Sequence, residues 1–169
     1  GLYVGNTLKF PCRRIFTLDQ KKNLLAVGIR DTNNKAVVCL LKYSDSGDCC
    51  GSNTIKLSGH EPKISESGQF IAVAERANNR KWKLKVYTSN SDIKQELQPI
   101  YENRNLLFYD SIKQERFYFS GSYTWMGEEL FFISRPNEGE PSVLSRVRCG
   151  NGECEPPSTL EISETCIRL

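Results

Sequence analysis

The sequence predicts an all-β chain: three four-stranded antiparallel blades of a β-propeller, with a β-sandwich as the alternative packing of the same sheets. Three observations carry the prediction. Paired apolar runs recur at one spacing: Leu24 stands thirteen residues before Val37, Phe70 thirteen before Lys83, and Leu130 thirteen before Val143. Between the runs of each pair lies a polar loop with Asn, Gly or Pro, as in a hairpin. No segment shows a helical period.

The elements follow in chain order. "CRRIFTLDQKKN", "PKISESGQ" and "SYTWMGEE" precede the three pairs and read as first strands ending in polar turns. "NTIKLS", "KQELQPI" and "STLEIS" follow them and read as fourth strands. In "KLKVYT", Leu84, Val86 and Thr88 fall on one side and Lys83, Lys85 and Tyr87 on the other, a two-residue period. The whole chain, 1–169, is then one domain, with blades at about 12–57, 62–100 and 122–163 and an inserted hairpin at 101–121. "GLYVGNTLKFP" and "ETCIRL" remain as an orphan fourth and an orphan first strand, which would bring Cys12 and Cys166 near each other. The opening at Gly1 suggests a processed or trimmed chain.

The stretch "PKISESGQFIAVAE" resembles the repeats of TolB-like (PD40-type) propellers, roughly P-x-x-S-P-D-G-x-x-I-A-F. Ser65, Gly68, Ile71 and Ala72 match and Val73 nearly does, while Glu66 and Ser67 stand in place of the Pro-Asp pair. In "YTWMGEELFFIS", Trp125, Gly127, Leu130 and Phe132 fit. The resemblance implies a fold and carries no active site. "LSGHEP" resembles the Gly-His pair of WD40 repeats, but no Trp-Asp follows, and His60 is expected to be an exposed loop side chain.

Charge and cysteines narrow the classes of partner. The net charge is +3, from 23 basic and 20 acidic residues, too balanced for a nucleic-acid binder. No apolar run approaches the ~18 residues of a membrane span. Among seven cysteines, Cys149 and Cys154 flank an Asn151-Gly152 turn that would bring the thiols together. The others have no spacing that fixes partners, and the odd count leaves at least one thiol over. A zinc site is not expected, with no C-x-x-C pair and His60 the single histidine. The cysteine content points to an extracytoplasmic location, secreted or periplasmic, although no Asn-x-Ser/Thr sequon accompanies it.

Enzyme signatures are missing: no G-x-S-x-G, Walker loop, Rossmann glycines or H-E-x-x-H occurs, and "FSGSYTW" lacks the Asp and Gly of the sialidase box. No catalytic residue, cofactor or metal is therefore assigned. Three blades fall short of the about four to eight that close a propeller, so two apolar faces are expected to stay open. The reading is a non-catalytic protein-binding module, completed by a second copy or by another chain. The alternatives are an accessory propeller of a larger, prolyl-oligopeptidase-like enzyme, or a glycan-binding propeller. Strand direction gathers the loops between second and third strands on one rim, together with the connectors between blades. The partner-binding candidates lie there: Arg76, Arg80, Lys81 and Trp82 in the basic hairpin, and Tyr101, Arg104, Tyr109 and Arg116 in the aromatic insertion. Trp125, on a first strand, is expected to be core.

Overall fold

The structure, a computed structural model, describes residues 12–42, 55–77, 81–89, 97–107, 122–137 and 140–160. All regular elements among them are strands. The first sheet is a meander of β1 (Cys12–Lys21), β2 (Leu24–Asp31), β3 (Ala36–Lys42) and β4 (Ile55–Ser58), paired antiparallel in that order. A second meander follows: β5 (His60–Ile64), β6 (Phe70–Arg76), β7 (Trp82–Thr88) and β8 (Tyr101–Leu106). The third has β9 (Tyr123–Met126), β10 (Glu129–Ser134) and β11 (Val143–Gly150), with β12 (Glu153–Cys154) and β13 (Ser158–Leu160) both pairing to β11. One bridge, Ser134 opposite Leu106, links β10 to β8.

Local chemistry explains the turns. In the second meander Ser65 Oγ accepts from Phe70 N–H at 3.2 Å, and Ser67 Oγ accepts from Gln69 N–H at 3.1 Å. Ser67 thus bonds the backbone two residues on, as short polar side chains do in turns. Gly68 follows at φ +76°, where a glycine is favoured. Asn151 and Gly152, at φ +52° and +78°, form the tight two-residue turn that the sequence predicts. It sets Cys149 opposite Cys154, and the two form a disulfide.

Two apolar seams join the sheets. Leu24, Ala26, Val38, Leu40 and Leu57 of the first meet Ile64, Ile71, Val73 and Tyr87 of the second. On the opposite side of the second sheet, Phe70, Ala72, Leu84, Val86 and Leu106 meet Tyr123, Leu130, Phe132 and Val147 of the third. The middle strand β6 therefore alternates between two cores, and every residue from Phe70 to Ala74 is buried. Polar bonds cross the same seams: Asp19 Oδ2 accepts from Ile64 N–H at 2.7 Å, and Trp125 Nε1–H donates to Lys63 O at 2.8 Å.

The fourth strand of the second meander differs from the expectation. "KQELQPI" was the expected strand, but among its described residues, 97–100, no strand occurs. Tyr101–Leu106, expected to belong to the insertion, pairs with β7 in register Val86 to Tyr101 and Trp82 to Leu106. The first strand also starts two residues earlier than expected, at His60. The two orphan strands lie outside the described residues, as do Cys49, Cys50 and Cys166. Cys12 and Cys39 are free thiols, and burial pushes the Cys39 thiol up.

Candidate binding cleft

A cleft of about 270 Å³ opens at the seam of the first two sheets. It lies where the β2–β3 turn, the β4–β5 connector and the β6–β7 hairpin meet, on the rim where sequence reasoning gathers these loops. Its walls carry Arg30, Lys35, Arg76, His60, Glu75 and Trp82.

Each wall is fixed by local bonding. The β2–β3 turn is closed by the Asp31 carboxylate, which accepts from the N–H of Asn33 at 2.9 Å and of Lys35 at 2.8 Å. Asn34 takes the left-handed conformation, φ +63°, and its carbonyl accepts from Arg30 Nη1 at 3.1 Å. The guanidinium of Arg30 is thereby tied to its own turn. The connector approaches β6 so closely that a Cβ on Gly59 would stand 2.9 Å from the Ala74 carbonyl oxygen, and the residue sits at φ +141°. Only glycine suits that position. His60 follows, its ring between Phe16 at 5.7 Å and Trp82 at 5.2 Å, the latter edge-on. The expectation of an exposed loop histidine is corrected: the residue begins β5, and its ring is half-buried between two aromatics.

The predicted basic hairpin divides into two groups. Lys83 pairs with Glu102 at 3.7 Å, and Lys85 pairs with Glu75. Arg104, a predicted site residue, is exposed on the next strand and bonds Glu102 at 3.0 Å. Burial acts against the charge of Glu102, but the Arg104 hydrogen bond and the charges of Lys83 and Lys85 win and hold its carboxyl below the usual range. Arg76 and Lys81 lie exposed at the rim. Trp82 lines the cleft yet is only 6% exposed, because β7 turns it into the core shared with the third sheet. Tyr101 is half-buried against the same core, and burial raises its phenol. Tyr87 is pushed up to about 12, by burial first and then by Glu75 and Glu102. Arg80, Tyr109 and Arg116 lie outside the described residues.

Sequence reasoning missed Arg30 and Lys35. The signal was present in the repeat: a shift of forty-six residues lays Leu24 on Phe70 and Arg30 on Arg76. Both arginines stand at or beside the end of the second strand of their sheets, Arg30 opposite Ala36 and Arg76 opposite Trp82. Trp125 is half-buried, stacked on Phe70 with ring centroids 6.2 Å apart. On the opposite rim a second cleft, about 220 Å³, includes Asp19, Lys21, Lys63 and Glu66. There Lys21 and Glu66 pair at 3.2 Å across the seam.

No family model matches the sequence, and no curated protein matches it. Solved structures do. The β-propeller domain of the Trilobed protease from Pyrococcus furiosus, which has an open Velcro topology, aligns with 87% of this chain at a TM-score of 0.55 and 14% identity. The acylaminoacyl peptidase of Pyrococcus horikoshii aligns with 88% of this chain at 0.42 and 12% identity. The first likeness supports a β-propeller fold; the second is too distant to add to it. The TolB type in particular finds no support. This chain spans 42% and 32% of the length of those two chains, less than half of either.

Proposed function

We propose that the three meanders are consecutive blades of a propeller that extends beyond them, and that the chain is a non-catalytic binding module. Its propeller is completed by a second copy or by another chain. One observation carries this reading. The four large hydrophobic side chains most exposed among the described residues are Leu18 (68%), Met126 (67%), Ile15 (53%) and Ile133 (37%). All four lie on the outward faces of the two outer sheets. Ile15 and Leu18 stand opposite Ile29 and Val27, on the side of the first sheet turned away from the second. Ile133 shares its face with Leu144, and Met126 with Glu129, on the far side of the third. Val27, Ile29, Cys39 and Leu41 on the outward face of the first sheet are buried, but among the described residues Leu18, Met126, Ile15 and Ile133 remain the exposed large hydrophobics. Exposed patches of this kind mark interfaces.

A second reading, an accessory propeller of a larger prolyl-oligopeptidase-like enzyme, is favoured by the likeness to a protease's propeller domain. The glycan reading loses the support of Trp82, which is turned into the core, while the tyrosines of the insertion that it also used, Tyr109 among them, lie outside the described residues. The disulfide supports an extracytoplasmic location.

Light scattering over a range of concentrations tests the proposal. The natural chain should double its mass as concentration rises, and Ile133→Lys should stay monomeric. If the blades belong to a larger enzyme, the natural chain should instead associate without limit, and Ile133→Lys should raise its solubility. A natural chain that remains monomeric and as soluble as Ile133→Lys would overturn both readings.

A further inference from the structure

We infer that the cleft between the first two sheets receives the carboxylate of an acidic side chain, glutamate above all, on a peptide segment of a partner. Three cationic side chains, Arg30, Lys35 and Arg76, converge on the cleft from two sheets. Glu75, the one acid in its wall among the described residues, is engaged by Lys85, so the field inside is positive. Two guanidinium groups, at equivalent positions on the second strands of two adjoining sheets, supply planar forks, the geometry that matches a carboxylate. Arg30 is held by the Asn34 carbonyl, so little side-chain freedom is lost when an anion arrives.

Size and lining select the ligand. About 270 Å³ lies at the small end of the roughly 300–1,000 Å³ of drug-sized ligand sites, a size that suits one side chain. Ala36 and the half-buried ring of His60 line the cleft and give it a less polar side that would take the methylenes of a glutamate while its head meets the arginines. A bare phosphate has no stem to use that surface. The balanced overall charge also disfavours a nucleic acid.

The cleft lies on the loop rim, away from the outward faces, so the outcome here is independent of the association test. Fluorescence anisotropy of a labelled oligoglutamate peptide measures it, with an oligoglutamine peptide, inorganic phosphate and a single-stranded oligonucleotide as rivals. Oligoglutamate should bind in preference to all three. Arg30→Gln should weaken it about tenfold, the loss expected for a hydrogen bond to a charged group. Lys35→Gln, in an exposed turn where folding is not at stake, should weaken it about threefold. Lys56→Gln, on the opposite side of the first sheet beside Cys39, should change nothing. Equal affinity of the natural chain and Arg30→Gln would overturn the inference. So would oligoglutamine or the oligonucleotide binding as well as oligoglutamate, or phosphate alone displacing the peptide at equal concentration.

Discussion

Strands β6 and β10 occupy the same place in their sheets and have the same kind of sequence. β6 reads Phe70-Ile71-Ala72-Val73-Ala74, and β10 reads Leu130-Phe131-Phe132-Ile133. An unbroken apolar run of this sort suits a strand covered on both faces. β6 is covered so, with a core on either side. In β10 only alternate residues are buried: Leu130 and Phe132 face the second sheet, Phe131 is half-buried and Ile133 exposed. Two strands of like composition thus have unlike burial because, among the described residues, one has neighbours on both sides and the other on one. The difference teaches that the third sheet carries a face composed for packing. Ile133 is 37% exposed, so covering the remainder would contribute about 0.5–1 kcal/mol, a third of the range for burying a fully exposed aliphatic side chain.

The largest effect that sharpens this contrast comes from truncation. Leu84→Ala, in the core between the second and third sheets, should cost about 2–5 kcal/mol, while Ile133→Ala on the outward face should cost under about 1 kcal/mol. Urea unfolding midpoints measure both. Equal losses would mean that the outward face is already packed.

Next comes the disulfide of the third sheet. Cys149 and Cys154 are separated by five positions, so closing that short loop stabilises by about 2 kcal/mol in the chain-entropy account. A double change to serine should lower the thermal midpoint accordingly. An unchanged midpoint under non-reducing conditions would show that the bridge does not form in solution.

The smallest effect concerns charge on the outward face. Glu129 bonds Arg148 and pairs with Arg146 at 3.8 Å. The Arg148 hydrogen bond, with the charges of both arginines, holds its carboxyl below the ordinary range. A folded-state value below the unfolded one gives stability that is present above the unfolded value and is lost as pH falls through the folded one. Glu129→Gln should therefore be slightly less stable than the natural chain at neutral pH and indistinguishable from it in strong acid. A difference that persists in acid would assign the effect to packing instead.

The repeat was legible because second and third strands in each sheet carry paired apolar runs whose spacing survives divergence. Leu24, Phe70 and Leu130 each stand at or beside the start of a second strand, as the spacing predicts. The fourth strand of the second sheet was not legible. Tyr101–Leu106 is the last strand of its meander, joined to the next by a single bridge at Leu106, and only Leu106 is buried, so its sequence has no apolar alternation to read. The cleft was half legible. Arg76, Lys81 and Trp82 form a local cluster, but Arg30 and Lys35 reach the same place from another sheet, and Phe16 meets His60 across forty-four residues. The inward turn of Trp82 depends on register, since Arg76 pairs with Trp82 and so sets which face each residue of β7 takes.

Amide hydrogen exchange resolved strand by strand tests the central claim, that the second sheet is packed on both faces and the third on one. The amides of β6 and β7 should exchange slowest, at the rate of global unfolding, and those of β10 and β11 at least about tenfold faster through local opening. Equal protection in β6 and β10 would contradict the account, because it would require the outward face of the third sheet to be as well packed as the two seams.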